Sequence, residues 1–156
     1  MNIRLESSSP EETHALGTKL GKLLQGGDVL CLIGDLGAGK TALAKGIGEA
    51  LNVQEPMTSP TFTFIIEYQA NAQGTPVRLV HMDLYRLNHP EEAEVIGVGE
   101  NFQEDRICLI EWPEIAEDIL PEDVLELRME GSGEEKRVIT FHSQSAHWTE
   151  RLDGNL

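Results

Sequence analysis

Val29-Leu30-Cys31-Leu32-Ile33 is apolar at every position, so it offers no wet face and predicts a strand covered on both sides. On either side of it the pattern changes. The first residues predict a strand, and Ser9-Pro10-Glu11-Glu12 then supplies a capping hydroxyl and a proline suited to the first helical position. A helix to about Leu24 follows, ended by Gly26-Gly27. After the central run, Gly34 to Gly39 reads as a loop, and Leu43, Ile47 and Leu51 recur at helical spacing, which predicts a helix from Lys40 to Leu51.

Further along, Phe62 to Tyr68 and Val77 to Met82 predict two strands joined through a turn around Asn71 to Gly74, with Asp83 directly after the second. Helical signals resume at Pro90-Glu91-Glu92. A strand is expected at Ile107 to Ile110, and a short helix from Glu114 to Ile119 before Pro121. A last hairpin is expected from Val124 to Met129 and Val138 to Phe141 around Gly131-Ser132-Gly133, with Trp148 anchoring a terminal helix. No repeat interrupts this order. Strand, glycine-rich loop and helix in succession imply an α/β fold, a single domain over 1–156, with a mainly parallel sheet flanked by helices and antiparallel hairpin additions.

Composition narrows the function. At 156 residues the chain is long enough for one core, and no apolar run approaches the ~20 residues a membrane helix needs. The first residues lack a basic segment followed by an apolar stretch, so a cytoplasmic protein without membrane contact is expected. The two cysteines, Cys31 and Cys108, lie in apolar runs and are expected to be buried, reduced and inert. The formal net charge is −15, and sixteen acids fall between Glu91 and Glu135 beside only Arg106 and Arg128. Such a surface repels nucleic-acid phosphate, so unaided binding of RNA or DNA is disfavoured. The acidic run suits a solvated face or a basic protein partner.

Gly34-Asp35-Leu36-Gly37-Ala38-Gly39-Lys40-Thr41 matches G-x-x-x-x-G-K-[ST], the pattern of a P-loop NTPase, in the context that pattern requires. Glycines let the backbone curl until its N–H groups face phosphate oxygens, and the helix N-terminus adds a favourable dipole. Asp35, Leu36, Gly37, Ala38 and Gly39 are the expected phosphate cradle. Lys40 would reach the outer phosphates, and the Thr41 hydroxyl would ligate Mg²⁺. Asp83 and Glu111 each follow a predicted strand, placing both carboxylates at the sheet edge beside the loop, where a metal or an attacking water could be held. By residue type alone, Thr58-Ser59-Pro60-Thr61-Phe62 is an ordinary hydroxyl-rich loop in the place of a nucleotide-sensing switch. Trp112 could lie over a nucleotide or pack in the core, and His81 reads as a satisfied buried histidine rather than a ligand.

The phosphate-loop sequence followed by Ser59-Pro60-Thr61-Phe62, His81-Met82-Asp83-Leu84-Tyr85-Arg86 and Ile110-Glu111-Trp112-Pro113 resembles the TsaE family, the small bacterial ATPases of tRNA threonylcarbamoyladenosine biosynthesis. The resemblance runs from about Pro10 to Val138 and rests on four motifs in order. It implies an ATPase, with ATP bound and ADP released, that works beside a threonylcarbamoyl-transferase subunit and its non-catalytic paralogue. These modify adenosine 37 of tRNA, which the ATPase itself would meet only indirectly, being a monomer when alone. The family's roles, carried onto this chain, give Mg²⁺ to Thr41 and Glu111, a switch-like loop to Thr61 and support of hydrolysis to Asp83. The segment from Ser9 to Thr13, and Arg137, correspond to where the family places nucleotide contacts outside the P-loop.

Two other classes compete. A small-molecule kinase would pass the γ-phosphate to an organic acceptor, but such enzymes usually close an arginine-rich lid and bases are scarce here. A nucleotide-gated binding module would recruit partners without releasing phosphate. No arginine finger is evident; Arg86 is nearby in the pattern, but a partner's side chain is the alternative source of that charge, so hydrolysis is expected to be slow until partners complete the site.

Overall fold

A computed structural model describes residues 1–156 and places the wholly apolar run at the centre of a seven-stranded sheet. In chain order the elements are β1 (Asn2–Ser7), α1 (Pro10–Gly21), β2 (Val29–Ile33), α2 (Lys40–Ala50), β3 (Ile65–Ala72), β4 (Thr75–Asp83), α3 (Pro90–Val95), β5 (Arg106–Glu111), β6 (Leu125–Glu130), β7 (Arg137–His142) and α4 (Ala146–Leu152). The sheet order is β1-β7-β6-β2-β5-β4-β3. No helix is long and apolar enough to cross a membrane.

The sheet is mixed rather than mainly parallel. β6, β2, β5 and β4 run parallel in the middle, while β1–β7, β7–β6 and β3–β4 pair antiparallel. The cause is the two hairpins: each contributes one strand to the parallel centre and sends the other back outside it, and β1 then adds to the returning β7.

Several boundaries also move for local reasons. α1 stops at Gly21 instead of Leu24, because the N–H groups of Leu23 and Leu24 turn to the carbonyls of Leu20 and Gly21, three residues back. The strand expected from Phe62 starts at Ile65, since Phe64 donates its N–H to the Pro60 carbonyl and adopts φ 66, a left-handed turn. It then runs on to Ala72 and reverses through Gln73-Gly74, both with positive φ, as a two-residue hairpin requires. The helix expected at Glu114–Ile119 is a 3₁₀ segment, Pro113–Ile119.

Alternation along the strands builds a core on each face. Leu30, Leu32, Leu79, Ile107 and Leu109 join Leu20 of α1 and Leu43 and Ile47 of α2. Val80, Met82, Cys108 and Ile110 face the other way, onto Ala93 of α3 and Ala116. Trp148 of α4 is fully buried, and its indole N–H donates to the Asp123 carbonyl at 2.7 Å. The same two-residue period carries His81, Asp83 and Glu111 to the α1–α2 face at the ends of their strands.

α1 and α2 approach until their backbones touch. A Cβ on Gly46 would collide with the His14 carbonyl, and one on Gly17 with that of Leu43. Glycine therefore sets this spacing, which brings the start of α1 beside the loop that opens α2.

Cys31 and Cys108 are sealed in the core, and burial pushes both thiols up to about 12. A thiolate-specific reagent at mildly alkaline pH is expected to modify neither cysteine in the native protein and both in denaturant. A fast-reacting thiol in folded material would contradict this packing.

Candidate functional site

The loop from Gly34 to Gly39 leaves the carboxyl end of β2 and opens α2. Gly39 sits at φ 101, a left-handed conformation costly for any side chain, and a Cβ on Gly34 would lie 2.6 Å from the Met129 carbonyl of β6. The Ala38 N–H closes a turn onto the Asp35 carbonyl at 3.1 Å, but those of Leu36, Gly37 and Gly39 donate to no protein group. Lys40 and Thr41 begin α2, where first-turn N–H groups have no intrahelical acceptor.

The two neighbouring helices differ at their starts. α1 is capped by the Ser9 hydroxyl, which accepts from the Glu12 N–H at 3.1 Å, and carries Glu11 and Glu12 in its first turn. α2 has neither a side-chain cap nor an acid in its first turn. Its positive end is thus left open to an incoming anion.

Behind the loop lies a buried charged group. Lys40 Nζ donates to the Gly34 carbonyl at 2.7 Å, lies 3.8 Å from Glu111 Oε1 and sits 4.2 Å from the centre of the Trp112 ring. Burial pulls the ammonium below the usual lysine range, against the opposing pull of Glu111 first and then Asp83, Glu114 and Asp35. Trp112 turns through φ 56 between Glu111 and Pro113, and its ring lies 4.8 Å from that of Tyr85. The indole covers the ammonium, and the phenol packs on the indole.

Asp83 is the register partner of Glu111 on β4, and its Oδ1 accepts from the Tyr85 N–H at 3.0 Å. A cavity of about 500 Å³ opens on the α1 side, lined by Ser9, Thr13, Gly37, Gly39, Lys40, Thr41 and Arg137. Arg137 donates to the Gly37 and Gly133 carbonyls, each at 3.1 Å, tying the β6–β7 turn to the loop. Thr13 is buried and shares a hydroxyl contact of 2.7 Å with Ser7, so it supplies wall rather than a free donor. Thr41 is exposed and its hydroxyl has no protein partner.

The structure thus gathers Lys40, Glu111 and Trp112 into direct contact, with Asp83 alongside, and groups Ser9, Thr13, Arg137, Gly37, Gly39 and Thr41 around one cavity. Asp35 and Leu36 are exposed at the loop, while Ala38 points into the core. Thr61 is not brought in: its hydroxyl meets only Ser59 Oγ, at 2.7 Å. That segment nevertheless ends next to the site, because the Asp83 N–H donates to the Phe64 carbonyl at 2.9 Å.

His81 departs from the sequence reading. It is buried, yet only one ring nitrogen is satisfied: Nε2 lies 2.6 Å from Glu111 Oε2, and Nδ1 has no partner. Tyr85, to which the sequence assigned no role beyond its place in the His81–Arg86 motif, packs on Trp112. Strand alternation could have put His81 on the face of Asp83, but only the register between β4 and β5 brings it to Glu111.

No group of three or more His, Cys, Asp or Glu residues is placed to hold a metal. The available oxygens are the Thr41 hydroxyl and the carboxylates of Glu111 and Asp83. Mg²⁺ usually takes one or two carboxylates and completes its shell with phosphate oxygens and water, so this donor set fits a cation arriving with a phosphate ligand.

The family described as "Threonylcarbamoyl adenosine biosynthesis protein TsaE" matches residues 7–139. The tRNA threonylcarbamoyladenosine biosynthesis protein TsaE of Bacillus subtilis is 39% identical over 139 residues, 89% of this chain and 84% of that protein. The protein of the same name from Treponema pallidum is 38% identical over 138 residues, 88% of this chain and 98% of its own length. The crystal structure of Bacillus subtilis YdiB superposes with a TM-score of 0.81 at 32% identity, covering 98% of this chain and 93% of that one.

Proposed function

The chain belongs to the TsaE family of threonylcarbamoyl adenosine biosynthesis proteins, and from that premise we propose that it is a Mg²⁺-dependent P-loop ATPase. Its hydrolysis supports turnover of a threonylcarbamoyl-transferase subunit and that subunit's non-catalytic paralogue in tRNA modification. The observation that carries this reading is the open start of α2, with free amide donors before it and a buried lysine behind it.

The residues divide the work. Amides of the segment Asp35 to Gly39 and of Lys40 and Thr41 cradle the outer phosphates of ATP, and Arg137 holds the cradle closed from β7. Lys40 exchanges the Gly34 carbonyl for phosphate oxygens, which give its desolvated ammonium charged acceptors within hydrogen-bond distance, closer than Glu111 at 3.8 Å. Thr41 and Glu111 would hold Mg²⁺, which would supply positive charge beside the outer phosphates. Asp83 orients the attacking water, and Thr61 answers to the γ-phosphate by movement of its loop. Ser9, Thr13 and Trp112 form the nucleotide's remaining surroundings. An overall charge of −15 agrees with tRNA being held by the partners and not by this chain.

Calorimetry with Mg²⁺ is the first test, and heat of binding is expected with both ATP and ADP. With γ-labelled ATP and the partner pair present, label should appear as free phosphate. Label in an organic acceptor would instead establish a kinase, and binding without any phosphate release would establish a nucleotide-gated module.

A further inference from the structure

We propose that His81 is a positioning residue: it pins one oxygen of Glu111 so that the other stays directed toward the Lys40 end of the site. The inference rests on the ATPase reading for its consequence, but its geometry stands apart from it. His81 lies on β4 beside Leu109 of β5, in an otherwise apolar stretch of the sheet and almost wholly buried. Its Nε2 is 2.6 Å from Glu111 Oε2, the length of a strong bond to a carboxylate.

The orphaned Nδ1 identifies the tautomer. A proton on Nε2 donates to Glu111 and leaves only a lone pair unpaired at Nδ1. A proton on Nδ1 would bury an N–H with no acceptor and press a lone pair against the carboxylate. An apolar side chain would avoid the unpaired atom altogether, so packing gives no reason for histidine here. The donor to Glu111 does.

The two Glu111 oxygens thereby have different surroundings. Oε2 is held by His81, and Oε1 is 3.8 Å from the Lys40 ammonium, too far for a direct hydrogen bond. Without His81 the carboxylate can rotate onto the lysine and close that gap. Glu111 would then be withdrawn from metal ligation and Lys40 from phosphate, both losses arising from one missing donor.

Two measurements decide the matter. In nucleotide-free protein, ¹⁵N NMR of the imidazole is expected to show the Nε2–H tautomer, with its signal shifted by Glu111→Gln. The Nδ1–H tautomer, or a signal indifferent to Glu111→Gln, would overturn the proposal, and this arm holds even should the protein hydrolyse no ATP. Next, His81→Phe keeps a ring and removes the donor, whereas His81→Gln restores an N–H near the Nε2 position. His81→Phe should raise the Mg²⁺ concentration for half-maximal hydrolysis by about 10-fold or more, the usual scale for a lost partner of a metal ligand. His81→Gln should recover most of it. Wild-type Mg²⁺ dependence in His81→Phe, or a His81→Gln variant as impaired as a folded His81→Phe, would refute the positioning role.

Discussion

Lys40→Ala is expected to lower ATP affinity by on the order of 10²-fold or more, since a buried ammonium making charge-assisted bonds to two phosphates contributes a few kcal/mol. The surroundings explain why nothing else compensates. Lys40 is the only lysine or arginine paired with Glu111 and lies against the Trp112 ring, so its removal leaves Glu111 and Asp83 without their cation at the end of the loop. Arg137, on the opposite wall, is committed to the carbonyls of Gly37 and Gly133. Lys40→Met preserves most of the stem and separates lost charge from lost packing. Calorimetry with ATP and Mg²⁺, paired with a melting curve to verify folding, reads the effect. Wild-type affinity in either variant would remove Lys40 from the site.

Glu111→Ala is expected to cut Mg²⁺-dependent phosphate release by roughly 10²- to 10³-fold, equivalent to about 3–4 kcal/mol of barrier. Stability should suffer less. The variant strands the His81 donor, which costs about 1–3 kcal/mol, and part of that is returned because a buried carboxylate no longer has to be desolvated. Glu111→Gln keeps an acceptor for His81 and should preserve folding better still while losing the charge proposed to hold the metal. The assignment of Mg²⁺ to Glu111 fails if hydrolysis in Glu111→Ala retains its full magnesium dependence.

Local signals were legible because they act over one or two turns of chain. Pro10 after the Ser9 cap starts α1, the apolar run is β2, and the glycine pattern gives the loop and the unprotected start of α2. Asp83 and Glu111 could be placed at strand ends from the residues before them, and they do end β4 and β5. The left-handed Phe64 was not legible, and it displaced the start of β3. Nor was the count of parallel pairings, because no local feature says that β6 joins β2 while β1 lies against β7.

By itself the chain's order of residues determined an α/β domain type, a phosphate-loop pattern between strand and helix, two carboxylates at neighbouring edges and an acidic surface. Only the tertiary structure decided that Lys40 lies under Trp112, that Ser9, Thr13 and Arg137 surround the loop's cavity, and that His81 holds Glu111. The physical reason is range. A cap or a glycine turn is settled by neighbours in sequence, whereas the register of β4 on β5 and the close crossing of α1 on α2 are settled by packing between residues tens of positions apart.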